Sequence, residues 1–166
     1  MKILLLSALL CLPVTVFAQM QPPPPTTAQL AAGAESSSSF KGANVITITT
    51  ADSASVALVK LGRAFQANGV TVERLDKDLL SISTKPKVLS NGLYLPEATY
   101  LAVATPGANS VLTITGQGKA EGMGAKVIFP VEIKGTEKGP PTSAFRLMEL
   151  TAKAYPGGRV GYMRKL

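Results

Sequence analysis

A chain of 166 residues with no histidine and one cysteine, Cys11, lacks most of the ordinary equipment of catalysis. Past Ala18 neither residue type occurs, which removes the usual proton shuttle, a thiol nucleophile and most transition-metal ligands. Seventeen Lys and Arg oppose ten Asp and Glu, but the cations are scattered and Trp is absent, so nothing resembles a base-stacking platform and no nucleic-acid partner is expected.

The start reads as an export signal. Met1-Lys2 is followed by an apolar stretch from Ile3 to Leu12 and by Val16-Phe17-Ala18, the three regions of a secretory leader, with cleavage expected after Ala18. The apolar part falls short of the roughly 20 residues a membrane-spanning helix needs. Leu9 and Leu10 stand where a lipid-attachment signal wants small residues, so Cys11 reads as apolar filler that leaves with the leader. The protein is thus expected in the periplasm or outside the cell, without disulfides and with a packed core as its means of stability. Loss of Lys2 leaves a formal charge of +6.

Three regions are expected: a signal peptide at 1–18, a disordered linker at 19–42 and a single α+β domain at 43–166. The linker holds Pro22-Pro23-Pro24-Pro25 and Ser36-Ser37-Ser38-Ser39, which favour extended and flexible chain and lack the periodicity to join a core.

Within the domain, Val45 to Thr49 is β-branched and reads as a strand. Asp52 is placed to cap a helix over about Ser53–Asn68, closed by Gly69. Ala54, Leu58, Leu61 and Phe65 make its apolar stripe, with Ala57 and Ala64 beside them, and small residues including Gly62 let it lie close to a sheet. Val70–Leu75 and Leu79–Thr84 read as a hairpin about Asp76-Lys77-Asp78. Lys85 to Pro96, with Tyr94, reads as a loop, Ala98–Thr105 and Ser110–Thr115 as strands, and Gly116 to Gly124 as another loop. Ala125–Lys134 alternates Val127, Phe129, Val131 and Ile133 against polar residues, with Pro130 marking an edge or bulge. After a loop over Gly135–Pro141, a second helix is expected over Ser143–Tyr155, capped by Thr142. Its stripe is Ala144, Leu147, Met148, Thr151 and Tyr155, with Leu150 and Ala154 alongside. A basic tail from Arg159 carries a short last strand through Val160 and Tyr162. The fold class expected is α+β: a curved antiparallel sheet of five to seven strands with two helices on one face.

This order, carried by Asp52-Ser53-Ala54-Ser55-Val56 through Leu75-Asp76-Lys77-Asp78-Leu79-Leu80, resembles that of helix-grip domains and of the small periplasmic repeats of outer-membrane assembly lipoproteins. It also resembles uncharacterised secreted domains of Bacteroidetes-type bacteria. The resemblance covers about 44–155 and implies a fold but no catalytic residue. The assembly proteins carry a lipobox, which this chain lacks.

Several patterns invite chemistry and have plainer readings. Asp76 and Asp78 have the spacing of cation ligands, but calcium wants more oxygens, and a turn whose aspartates bond their own backbone is preferred. Gly116-Gln117-Gly118 and Gly122-Met123-Gly124 hint at a phosphate loop, yet both flanks read as strands and no helix N-terminus follows. Ser38-Ser39-Phe40-Lys41 fits Ser-x-x-Lys but lies in the linker. Glu97, Glu121, Glu132, Glu137 and Glu149 could supply a glycosidase pair, and nothing in their spacing selects one.

The expected function is that of an exported, non-enzymatic cell-envelope domain with an interaction or structural role, its partner an envelope protein or an anionic surface. The alternative is a small apolar-ligand or lipid-binding module, with Phe65, Tyr100, Phe129, Phe145, Met148 and Tyr155, joined by Met123, lining a pocket between the last helix and the sheet. No catalytic residue, metal or cofactor is expected. A ligand carrier calls for an apolar cavity of about 300 Å³ or more. An interaction domain calls for a filled core and an exposed edge or apolar patch.

Overall fold

The computed structural model describes residues 33–89, 95–122, 125–134 and 139–165. The expected leader and its expected cleavage site at Ala18, the proline run, Tyr94, Met123 and Glu137 lie outside the described residues. No helix among those described is long and apolar enough to cross a membrane.

The α+β class is the one found, with two helices and eight strands among the described residues, against the five to seven strands expected. Strand β1 (Val45–Thr50) leads into α1 (Ala54–Ala67), followed by β2 (Val72–Asp76), β3 (Ser81–Thr84), β4 (Lys87–Val88), β5 (Leu95–Thr105), β6 (Ser110–Gly122), β7 (Ala125–Pro130), α2 (Pro140–Lys153) and β8 (Arg159–Met163). All pairings are antiparallel, in the order β2-β3-β5-β6-β1-β8. The long β5–β6 hairpin is the spine. One half is flanked by β3 and β1, and the other by β4 on β5 and β7 on β6.

Period-2 alternation sends Ile46, Ile48, Ile82, Ala102, Ala104, Leu112 and Ile114 to one face, where all are buried. The two helices cover that face. Phe65 of α1 stacks on Tyr100 of β5 at 5.7 Å between ring centres, and the Tyr100 hydroxyl donates to the Ala144 carbonyl of α2 at 2.9 Å. The α1 stripe is the expected one, with Ala54, Ala57, Leu58, Leu61, Ala64 and Phe65 buried. Gly62 marks the close approach: a Cβ there would lie 3.1 Å from Ile82 Cδ1.

Several expectations need correction. Asp52 does not cap α1. Ser53 holds the N-cap position without a side-chain cap bond, because the Asp52 carboxylate is engaged elsewhere. Thr142 does not cap α2 either. The helix starts earlier, after Gly139, with Pro140 and Pro141 in the first turn, where their missing N–H groups need no partner. Thr142 Oγ1 instead accepts from the Lys134 amide at 3.1 Å. The inner stripe of α2 includes Phe145 and Ala152, whereas Leu150 and Ala154 are exposed.

The glycine-rich stretch after Thr115 is strand, not loop, as far as Gly122. Gly116 and Gly118 alternate onto the inner face, where neighbouring side chains take the room a Cβ would need. Such a Cβ would sit 2.9 Å from Val131 Cγ2 at Gly116 and would run into the Phe129 ring at Gly118. The expected sixth strand stops at Pro130. Val131 is still buried, but Val127 is exposed, since β7 hangs beyond the reach of the helices.

Residues 33–42, expected as linker, are docked on the domain. Ser36 exchanges two backbone hydrogen bonds with Tyr162 of β8, at 2.9 and 2.8 Å, and the Gly42 amide donates to the Ile133 carbonyl. Phe40, the one aromatic of that segment, is 8% exposed and anchors it. The packed chain therefore begins by residue 33 rather than 43.

Candidate interaction surface

Of the six aromatic and methionine side chains expected around a pocket, five join one core cluster: Phe65, Tyr100, Phe145, Met148 and Tyr155. Phe129 is buried separately, under the Gly118 notch of β6. Burial pushes the Tyr100 phenol well above its ordinary range, as an interior hydroxyl satisfied by one carbonyl should be. The hollows on the described surface that have a defined lining are away from this cluster. An open groove of about 600 Å³ runs between α2 and the 39–41 segment, lined by Lys41, Thr142, Arg146 and Glu149 with Ile133 and Leu150.

Among the described residues the candidate acid groups are dispersed. Asp76 accepts from the amides of Asp78 and Leu79 and from Arg74, which hold its carboxyl below the usual range, the backbone bond from Leu79 foremost. This is the turn geometry preferred from the sequence. Glu97 pairs with Lys119 at 3.0 Å, and that bond raises the Lys119 ammonium above its ordinary value. Glu121 lies near Lys119 and Lys126, and Glu132 near Lys134. Burial raises Glu149, but Lys153 at 2.8 Å and the Tyr162 hydroxyl at 2.8 Å outweigh it and hold the carboxyl low. Among the described residues, no three His, Cys, Asp or Glu side chains gather as ion ligands.

One polar cluster escaped the sequence reading. Lys60 Nζ reaches both oxygens of Asp52 at 2.7 Å, the Tyr155 hydroxyl donates to Asp52 Oδ2 at 2.6 Å, and Thr50 joins at 3.2 Å. It ties the end of β1 to α1 and to the chain just past α2. The Lys60 bond, then the Tyr155 bond, hold Asp52 below the usual carboxyl range; burial, then the carboxylate, push Tyr155 up to about 12. A lowered carboxyl contributes stability above its unfolded value near 3.9, which is lost as pH falls through the folded value. A raised phenol contributes below its unfolded value near 10 and loses that as pH climbs towards 12. The urea midpoint is therefore expected to fall below about pH 4 less steeply in Asp52→Asn than in the parent. Equal slopes would show that this cluster is not formed in solution.

The face of the sheet opposite the helices is the distinctive surface. Cross-strand partners there are Ser81 with Val103, Ser83 with Leu101, Val103 with Thr113, Leu101 with Thr115 and Thr99 with Gln117. None of these carries a charge, and the patch ends at β2, where Arg74 stands beside Ser83 and Asp76 beside Ser81 on the same face. Leu101 and Val103 are 47% and 40% exposed, large for apolar side chains in central strands. The described part of the N-terminal segment covers this face only at β1 and β8, where Glu35 reaches Thr47 across Gly161. At the far end of the hairpin, Glu97, Lys119, Glu121 and Lys126 form a row of alternating sign beside a hollow of about 160 Å³.

The edges differ in their protection. The β8 edge is paired by Ser36, and β2 carries a register shift between Val72 and Arg74. At β7 the Val131 amide donates to Gly116, so alternation turns the backbone groups of Ile128 and Lys126 outward. Pro130, in the same phase, occupies an outward position where no N–H is required. Ile128 is 62% exposed.

No family model matches the chain, and no curated protein matches its sequence.

Proposed function

We propose that this protein is an exported, non-enzymatic interaction domain of the cell envelope, and that it meets its partner through the helix-free face of the sheet. The observation that carries this reading is the uncharged surface around Leu101 and Val103, in a chain otherwise well supplied with lysine and arginine. An antiparallel sheet with one wet face ordinarily presents charged and strongly polar side chains to water. Here small hydroxyl residues and two large aliphatics stand in their place. Filled packing beneath Tyr100 supports a binding role at the surface rather than within. The leader supports export, and the dispersal of the carboxylates supports a role other than acid–base catalysis.

A photo-reactive phenylalanine analogue at Val103, compared with the same analogue at the exposed Arg63 on α1, tests the reading in the producing cell. A recurring adduct, identified by mass spectrometry, is expected at Val103 and not at Arg63. Equal labelling at the two sites, or none at Val103, would overturn it.

A further inference from the structure

We infer that the groove between α2 and the 39–41 segment binds a small organic anion: a carboxylate or phosphate head carrying a short aliphatic body. The groove lies beside α2, on the helix side of the sheet, and its occupant is independent of any partner on the helix-free face. Its volume of about 600 Å³ falls within the range of about 300–1,000 Å³ that small-molecule sites occupy. The wall facing α2 is tied down. Phe40 anchors the segment in the core, the Gly42 amide donates to the Ile133 carbonyl at 2.8 Å, and the Ile133 amide donates to the Ala43 carbonyl at 3.0 Å.

Charge selects the head of the ligand. Lys41 stands on one wall and Arg146 on the other, and both are exposed. Neither takes part in an ion pair among the described residues, whereas Lys60, Lys119, Lys126, Lys134 and Lys153 all do. Glu149, the acid on this lining, already accepts from Lys153 and from the Tyr162 hydroxyl, each at 2.8 Å. Its charge is matched, which leaves two cations facing each other across the groove for an incoming anion. Thr142 adds a directed donor. Its side chain is buried, lines the groove and accepts from the Lys134 amide at 3.1 Å, while its hydroxyl proton has no acceptor among the described residues. A hydroxyl that accepts on one side can donate on the other, and an anionic oxygen in the groove completes it.

The aliphatic body follows from the remaining contacts. Ile133 is half-buried against the core, and Leu150 is 58% exposed beside it on the lining. A hydrocarbon chain laid over them removes apolar surface from water, which a bare inorganic ion does not. Cations this exposed hold a partner loosely and are screened by salt. The dissociation constant is accordingly expected at about 0.1–1 mM and to rise with ionic strength.

Nitrogen-15 amide spectra of the chain as purified from its producing cell, titrated separately with hexanoate, hexyl phosphate, hexanol and hexylammonium, test the inference. Saturable shifts at Lys41, Ile133, Thr142 and Arg146 are expected with at least one of the two anions, and the tighter of them identifies the head. Hexanol and hexylammonium are expected to produce none. Arg146→Gln is expected to weaken anion binding by about fivefold or more with an unchanged far-ultraviolet circular dichroism spectrum, and Arg63→Gln, on α1, to leave it intact. The absence of a saturable shift with either anion up to about 10 mM, an equal response to hexanol, or an Arg146→Gln variant that binds as the parent does overturns the inference.

Discussion

Phe65→Ala is expected to cost about 3–5 kcal/mol of stability. The ring is fully buried on the inner stripe of α1, stacks on Tyr100, and sits where the chain turns back after the helix, with the Val70 amide donating to the Phe65 carbonyl at 2.9 Å. Tyr100 cannot follow the missing ring inward, because its hydroxyl is fixed to Ala144 of the other helix. The vacated space therefore stays open, and the cost is transfer plus cavity. Urea unfolding measures it, and the melting temperature is expected to drop by roughly 10–20 °C. A loss below about 1 kcal/mol would mean a loosely filled interior, and would favour the apolar-ligand alternative over the surface reading.

The second large effect concerns Gly118, where loop and strand readings predict opposite signs. In a flexible loop, Gly→Ala reduces the entropy of the unfolded chain and raises stability by about 0.4–1 kcal/mol. In β6, Gly118 stands opposite Phe129, whose ring lies over the missing side chain. Gly118→Ala is therefore expected to cost about 1–3 kcal/mol through overpacking. Combining it with Phe129→Leu, which withdraws the ring, is expected to return part of that loss, so that the double variant is less damaged than the two single changes added together. Strict additivity would show that ring and notch do not meet.

What could be seen in the residues, and what could not, follows from the distance over which each decision is made. The α1 stripe was legible because its burial depends on a period contained in fourteen residues. The strand character of Gly116 and Gly118 was not, since the reason for glycine lies on a neighbouring strand. Asp52 has the composition of a cap, but a lysine on the next helix and a tyrosine 103 positions away compete for its carboxylate, and no local pattern records that contest. Val127 obeys the alternation that signals burial and is exposed, because alternation says which residues share a face and not whether anything covers it. Phe40 was a signal overlooked: one large aromatic in a run of serines is enough to anchor a short segment. The candidate surface was half visible. Threonines, serines and aliphatics could be read at the outward phase of three strands, but their adjacency depends on β3 and β6 flanking β5.

The place of β1 has a consequence for how the molecule is made. This strand lies between β6 and β8, so its second partner is made only after α2. During vectorial synthesis β1 waits, with one flank bare, until β8 has emerged, and that side of the sheet closes late. A proteolytic cut after Gly158 would return the finished protein to that condition, exposing the Val45–Thr50 edge as a template for aggregation.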